Sequence, residues 1–306
     1  MRKKTWVEGS LVGIVVVGAI FTFWAPANRF LIWATGNGRG CGLRECLDEI
    51  EPRIIEEGMR VRGASAVVER DGEGYELHRT PRGMFWSPAG NILYYNLGEM
   101  AVEAYGGEAD GVRAGDVVLD CGANVGTFTR SALAAGASKV VAFEIDPRNA
   151  ECLRRNFQKE AAEGRVVVIA QGVWSREGMV EVKVYSNSNW STAAMPERPE
   201  TEEKPRVVKL PVTRIDRVVE DLGLERVDFI KMDVEGAEVE ALQGARTTLQ
   251  RFRPRLSVAT ENLPDDVERV PAAVRAIVPE YQFRPGLCRK IRKFMIRPEV
   301  VHGWVQ

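Results

Sequence analysis

Four short apolar runs, 116–120, 139–144, 166–170 and 227–232, recur through the middle of the chain, each β-branched and nearly continuous. Runs of that length without polar alternation are strands buried on both faces. Between the first three lie stretches with helical spacing, "GTFTRSALAAGA" and "DPRNAECLRRNFQKEAAEG". Strand and helix in alternation predict right-handed βαβ units and an α/β fold with a doubly wound, mostly parallel sheet. The stretch 174–215 breaks the alternation. There "MVEVKVYS" and "RVVKLPVTRID" read as an inserted hairpin around the polar loop "NSNWSTAAMPERPETEEKP". Beyond the fourth run, "EVEALQGARTTLQRF" reads as a helix, "PRLSVATE" as a strand and 265–277 as a further helix. The end, "YQFRPGLCRKIRKFMIRPEVV", supplies two final strands.

Upstream the pattern changes. No charge occurs from Gly9 to Asn28, and the centre of that stretch, "LVGIVVVGAIFTFWA", is apolar on every face. As a helix it covers roughly 30 Å, the hydrocarbon thickness of a bilayer. The expectation is an N-terminal transmembrane helix over 1–28. A cleaved signal peptide ending at Ala25-Pro26-Ala27 is the rival, and a buried core helix the third reading. Basic residues flank both ends, so charge alone does not orient the span. A polar connector with "ATGNGRGCG" and a short helix, "LRECLDEIEPRIIEEG", follow it. "SAVVERDGEGYELHR" then reads as a hairpin about Asp71-Gly72, and "GMFWSP" and "NILYYNLGEM" complete a small attachment over 29–97. The main domain spans 98–306.

Composition narrows the classes. With 42 basic and 43 acidic residues the chain offers no global field for nucleic acid. Five cysteines lack metal spacing and read as free thiols in a reducing compartment. Two histidines, His78 and His302, exclude a histidine-rich metal site, and His78 reads as a surface residue. Asp233, Glu235 and Glu238 make only a weak set for a hard cation, so no metal is assigned.

The chemistry gathers at strand ends, where ligands of doubly wound sheets bind. "VVLDCGANVG" ends the first strand in Asp120, and Gly122 and Gly126 let backbone approach a ligand and the next helix pack closely. A dinucleotide loop would place its middle glycine at Asn124, whose side chain crowds a pyrophosphate. A ligand carrying a carboxylate, an ammonium and a sulfonium suits Asp120 and Asn124 better. Glu144 ends the second strand 24 residues after Asp120, the separation expected of an acid that bonds ribose hydroxyls. Asp146-Pro147 is the better cap for the helix that follows.

"VLDCGANVGTFT", "VVAFEIDPRN" and "VDFIKMDVEGAEVEALQGA", in this order and spacing, resemble the motifs of the FkbM-type family of S-adenosylmethionine-dependent class I methyltransferases. The resemblance covers roughly 98–285, and the last motif is long and distinctive. It implies a Rossmann-like seven-strand sheet with its last strand antiparallel, and S-adenosylmethionine as cofactor. It also implies that Asp120, Gly122 and Asn124 border the methionine part, that Glu144 holds the ribose, and that Gln171 and Gly172 lie beside the adenine. Family members often carry asparagine where this chain has Gln171.

Methyl transfer to a hydroxyl calls for a nucleophile in line and a base near it. Asp233, at the tip of the fourth strand, is the first candidate for that base, and Glu261 after the fifth is the second. The structural alternative is that Asp233 and Glu235 hold the loop, with Gly236 permitting the turn. Glu99 matches an acid common before the first strand in the family, and the resemblance implies that it closes over the cofactor. Trp190 and Ser191, in the long loop, would touch substrate as part of a lid. The expected activity is O-methylation of a glycan, lipid-linked or small-molecule acceptor, with no nucleic-acid partner. Because the methyl donor is cytosolic, a single-pass anchor would leave the catalytic domain in the cytoplasm. A nicotinamide-dependent oxidoreductase and a catalytically silent binding protein on the same fold are the competing readings.

Overall fold

The computed structural model describes residues 25–38, 40–48, 50–184, 191–192, 206–292 and 295–306. Its centre is a seven-stranded sheet of β1 (Val117–Cys121), β2 (Lys139–Phe143), β3 (Val166–Ile169), β4 (Phe229–Met232), β5 (Arg255–Ala259), β6 (Gln282–Pro285) and β7 (Val300–Trp304). The spatial order is β6-β7-β5-β4-β1-β2-β3. β1 to β5 run parallel, while β7 lies antiparallel to both β5 and β6. The order reverses between β1 and β4, which places the topological switch point beside Asp120.

Period-two alternation explains why the strand sequences are apolar throughout. Leu119, Val141, Ile230 and Leu256 face a core completed by Ala241, Leu242, Leu249, Val270 and Val274. Their neighbours Val118, Val140 and Phe229 face the opposite layer with Phe128 and Ala132. The helix Pro147–Asn156 starts as its sequence dictates, with Asp146 Oδ1 accepting from the backbone N–H of Arg148 at 2.8 Å and of Asn149 at 3.4 Å. The inserted hairpin is present, with Gly178–Val184 antiparallel to Arg206–Thr213.

Ahead of this sheet a three-stranded meander, Ala66–Arg70, Tyr75–Thr80 and Gly83–Pro88, packs on the helix Pro147–Asn156. The "NILYYNLGEM" stretch forms the helix Leu93–Ala101, which lies against the helix Ile50–Gly63. Their close approach needs Gly98, where a Cβ would stand 2.2 Å from the carbonyl oxygen of Ile54.

Several expectations are corrected. Among the described residues no helix is long and apolar enough to cross a membrane, which overturns the N-terminal transmembrane helix in the expected fold class. Most of the expected span, residues 1–24, lies outside the described residues. Its last residues open a ten-residue helix, Ala25–Ala34, that docks on the domain through buried Asn28 and Arg29. Arg29 donates to the carbonyls of Cys46 at 2.6 Å and Asp48 at 2.9 Å. A charge used this way marks a packed surface helix. Cys41 and Cys288 form a disulfide across 247 residues of sequence, so these two are not free thiols. Cysteine usage therefore no longer argues for a reducing compartment. Cys46, Cys121 and Cys152 are free and buried. His78 is buried, not on the surface, with Nδ1 3.0 Å from the Tyr94 hydroxyl. The single helix expected over "EVEALQGARTTLQRF" is two, Glu238–Gln243 and Arg246–Phe252. They divide at Gly244, where a Cβ would stand 1.9 Å from the carbonyl oxygen of Trp174.

Candidate active site

The loop after β1 is built on left-handed backbone. Gly122 (φ +82°), Asn124 (φ +51°) and Gly126 (φ +91°) all lie in the region that favours glycine, and asparagine tolerates it best among the other residues. Gly122 is fixed by contact as well as by torsion, because a Cβ there would stand 1.8 Å from the carbonyl oxygen of Asp233. A Cβ on Gly126 would meet the Phe157 ring at 2.2 Å. The loop is thus clamped between the tip of β4 and the helix side of the fold.

Asp120 is fully buried beneath this loop. Its Oδ2 accepts from the Thr129 hydroxyl at 2.6 Å, and its Oδ1 stands 3.6 Å from the ammonium of Lys231. Burial raises its pKa and the Lys231 charge opposes the rise. Lys231, buried within β4, also donates to the carbonyl of Gly122 at 2.8 Å. Asp120 therefore anchors the loop and the following helix from below. Glu144 lies at the same loop from the β2 side. Its Oε2 accepts from the N–H of Asn124 at 2.7 Å and its Oε1 from the N–H of Asp146 at 2.8 Å. Burial pushes its pKa up to about 7. Gln171 follows β3, and Gly172 opens a two-residue strand paired with Val212. A Cβ at Gly172 would stand 2.7 Å from the Ile145 side chain, so Ile145 and Gly172 share one corner next to the β2 tip.

Asp233 extends β4 toward the same loop. Tyr105 donates its hydroxyl to Asp233 Oδ2 at 2.7 Å. Buried Tyr105 has its pKa raised by burial and by the Asp233 and Glu99 charges, so it stays a proton donor in this bond. The loop beyond is held by Glu238, not by Asp233. Glu238 Oε1 accepts from the N–H groups of Val234 at 3.0 Å and Gly236 at 3.3 Å, and from Asn262 at 2.9 Å. Glu235 (φ +55°) and Gly236 (φ +93°) carry the turn. Glu261 follows β5 and accepts from Arg289, beside Glu299 at the start of β7. Burial pushes Glu261 up to about 7 and Glu299 up to about 8. Glu99, buried on the helix Leu93–Ala101, is raised by burial and by the charges of Glu299 and Asp233.

The predicted site residues thus come together at one end of the sheet, in two groups. Gly122, Asn124, Gly126, Glu144, Gln171 and Gly172 surround the β1–β2–β3 tips. Asp233, Glu261 and Glu99 surround the β4–β5 tips. Trp190 lies outside the described residues. Among the described residues no group of three or more histidine, cysteine or acidic side chains is arranged to hold a metal ion.

Sequence reasoning missed five residues: Lys231, Tyr105, Asn91, Arg289 and Glu299. Lys231 had a signal, a lysine inside the apolar strand "FIKM". Asn91 brings its amide nitrogen 3.4 Å from Asn124 Oδ1 and 3.3 Å from Asn149 Oδ1, while its own buried Oδ1 receives no hydrogen bond. Nothing in its local sequence marks it.

The model of the Methyltransferase FkbM domain matches residues 120–297. A fungal protein, Methyltransferase sdnD of Sordaria araneosa, is 30% identical over 153 residues, covering 42% of this chain and 59% of the relative. The chain therefore spans little more than half the length of that relative. Among solved structures, Methyltransferase FkbM from Methylobacillus flagellatus is 19% identical with a TM-score of 0.47, covering 70% of this chain and 54% of that one. Aeropyrum pernix fibrillarin, solved with natively bound S-adenosyl-L-methionine, is 12% identical with a TM-score of 0.39, covering 79% and 99%. With three motifs at the strand tips and a family match over more than half its residues, the chain belongs to the FkbM family of methyltransferases.

Proposed function

We propose that this protein binds S-adenosylmethionine at the β1–β2–β3 tips and transfers its methyl group to a hydroxyl of a glycan, lipid-linked or small-molecule acceptor. The residues present fit the cofactor. Each Glu144 oxygen takes one backbone N–H, which leaves both able to accept from a ribose diol. The orphaned Asn91 Oδ1, beside Asn124, is an acceptor suited to an ammonium group. Gln171, Gly172 and Ile145 would flank the adenine. When bound, the cofactor supplies an electrophilic methyl on a sulfonium.

The chain supplies orientation and a proton acceptor. The observation that carries the reading is the division of labour at Asp233: Tyr105 holds Oδ2, and Asp233 remains partly exposed just beyond β4. A carboxylate fixed by one oxygen presents the other in a defined direction, as a base for an acceptor hydroxyl requires. The backbone N–H of Asp233 donates to the carbonyl of Cys121 at 3.0 Å, which holds the residue beside the cofactor loop.

Calorimetric titration with S-adenosylmethionine tests the first half, and the Asp233→Asn and Tyr105→Phe variants the second. Asp233→Asn is expected to keep cofactor affinity within about threefold while lowering turnover on a hydroxyl acceptor by about 100-fold or more. Tyr105→Phe should lower kcat by a smaller factor. Absence of cofactor binding to the unaltered protein, or full turnover by Asp233→Asn, would overturn the proposal.

A further inference from the structure

The acceptor side of the sheet is crowded with acid. Asp233 follows β4, Glu261 follows β5, Glu299 precedes β7, and Glu99 reaches in from its helix. Glu299 is 2% exposed, and neither of its carboxylate oxygens receives a hydrogen bond. Arg289 is set among them on the Glu261 and Glu299 side, and Lys231 faces Asp233 and Glu99. Its guanidinium donates to Glu261 Oε2, stands 3.6 Å from Glu299 Oε1 and reaches Glu51 Oε1 at 3.5 Å. Arg297 lies near, but two of its N–H groups go to backbone carbonyls, those of Leu263 and Glu261.

Arg289 does not belong to the seven-stranded sheet. It sits on a separate hairpin, Cys288–Arg292 paired with Met295–Pro298, an arm from which Arg289 reaches Glu261 beyond β5. The N-terminal segment pins this arm at several points. Cys288, the residue before Arg289, is cross-linked to Cys41. Lys290 donates to Asn28 Oδ1 at 3.0 Å, and the N–H of Ile296 donates to the carbonyl of Asn37 at 3.1 Å. Ile32, Cys41, Cys46, Cys288 and Ile296 form the small core between them.

The geometry points to Arg289 as the positioning residue of the acceptor-side carboxylates, carried on an arm that the N-terminal segment pins through the Cys41–Cys288 disulfide. The inference rests on reading the β4–β5 tips as the acceptor site. Its physical basis is that neighbouring buried carboxylates cannot all ionise without a cation among them. Glu261 faces Arg289, Asp233, Arg297 and Glu51, with Glu299, Glu99 and Tyr95 around the same space. Removing the Arg289 charge leaves the acids to share protons, and Glu261 then stays protonated to higher pH.

Three variants of the full chain test this: Arg289→Gln, Arg289→Lys and Cys41→Ser. The probe is the carboxyl titration of Glu261 in protein labelled with 13C-glutamate, its resonance assigned through Glu261→Gln. Arg289→Gln is expected to raise the Glu261 midpoint by about one unit or more. Arg289→Lys should return it toward the original value, and Cys41→Ser should raise it by less. S-adenosylmethionine affinity should stay within about twofold in all three variants. A folded Arg289→Gln protein with an unchanged midpoint overturns the role of Arg289. An unchanged midpoint in Cys41→Ser overturns the role of the pin. Should Arg289→Gln fail to fold, Arg289→Met stands in for it, and an unchanged Glu261 midpoint in that protein overturns the role of Arg289. If the unaltered protein does not bind S-adenosylmethionine, the methyl-transfer reading falls, and the titration still decides this inference by itself.

Discussion

Single residues at the strand tips differ in what they can offer a ligand, although several are the same type. Asp120 is sealed under the loop by Thr129 and Lys231, so it acts as a strut, while Glu144 keeps acceptor capacity on both oxygens. The position with the least tolerance is Gly122, where torsion and contact agree. Alanine there would adopt φ +82° and place its methyl 1.8 Å from the carbonyl oxygen of Asp233. Either the loop or the tip of β4 must move. Gly122→Ala is expected to cost about 2 kcal/mol or more of stability in a denaturant titration. It should also weaken S-adenosylmethionine binding by about tenfold or more, read by calorimetry. Wild-type affinity in that variant would show that the clamp does not shape the site.

Among elements, a side chain at the end of a helix ties the N-terminal attachment to the cofactor loop. Asn156 closes Pro147–Asn156. Its Oδ1 accepts from the N–H of Trp86 at 2.6 Å, and its Nδ2 donates to the carbonyls of Trp86 at 3.0 Å and Val125 at 2.9 Å. It therefore supplies the missing ladder partner of an edge strand and holds the loop residue Val125 in the same grip. Arg130 adds a second tie, its guanidinium lying 4.7 Å from the Phe85 ring and 4.9 Å from the Phe157 ring. Asn156→Ala strands three partly buried backbone groups and is expected to destabilise the protein by about 2–4 kcal/mol. Amide exchange should rise first in Gly83–Pro88 and in the loop 122–126. Uniform protection across both segments in the variant would refute this coupling.

Across the whole molecule, buried acid makes stability depend on pH. Burial raises Glu144 and Glu261 to about 7, and Glu238 and Glu299 to about 8, from an ordinary 4.5. The folded state then holds more protons than the unfolded state between those limits, so stability falls as pH rises through that window. His302 works oppositely, because burial lowers it to about 4 from 6.5, and most of its contribution is in place by pH 6.5. Between pH 6.5 and 8.5 the four carboxylates outweigh the two buried histidines and set the sign. The ligand-free protein is expected to melt at a lower temperature at pH 8.5 than at 6.5, with Glu299→Gln reducing the difference. Equal melting temperatures at the two values would contradict it.

The sequence by itself determined the sheet and the contents of its tips. Continuous β-branched runs have no alternative to a strand covered on both faces, and motifs bound to strand ends travel with the strands. Asp120, Gly122, Asn124, Gly126, Glu144 and Asp233 were legible for that reason. The remaining features depend on contacts between residues far apart in the chain. Tyr105 meets Asp233 across 128 positions, Cys41 meets Cys288 across 247, and Arg289 reaches Glu261 from an arm outside the sheet. Local pattern carries no information on such pairings, because hydrophobic periodicity fixes which face of an element is buried and not what it is buried against. The helix Ala25–Ala34 shows the same limit, since an apolar stretch looks alike whether lipid or protein covers it. The break at Gly244 and the burial of His78 follow from the same cause: each was settled by a neighbour that the chain brings in only when the fold closes.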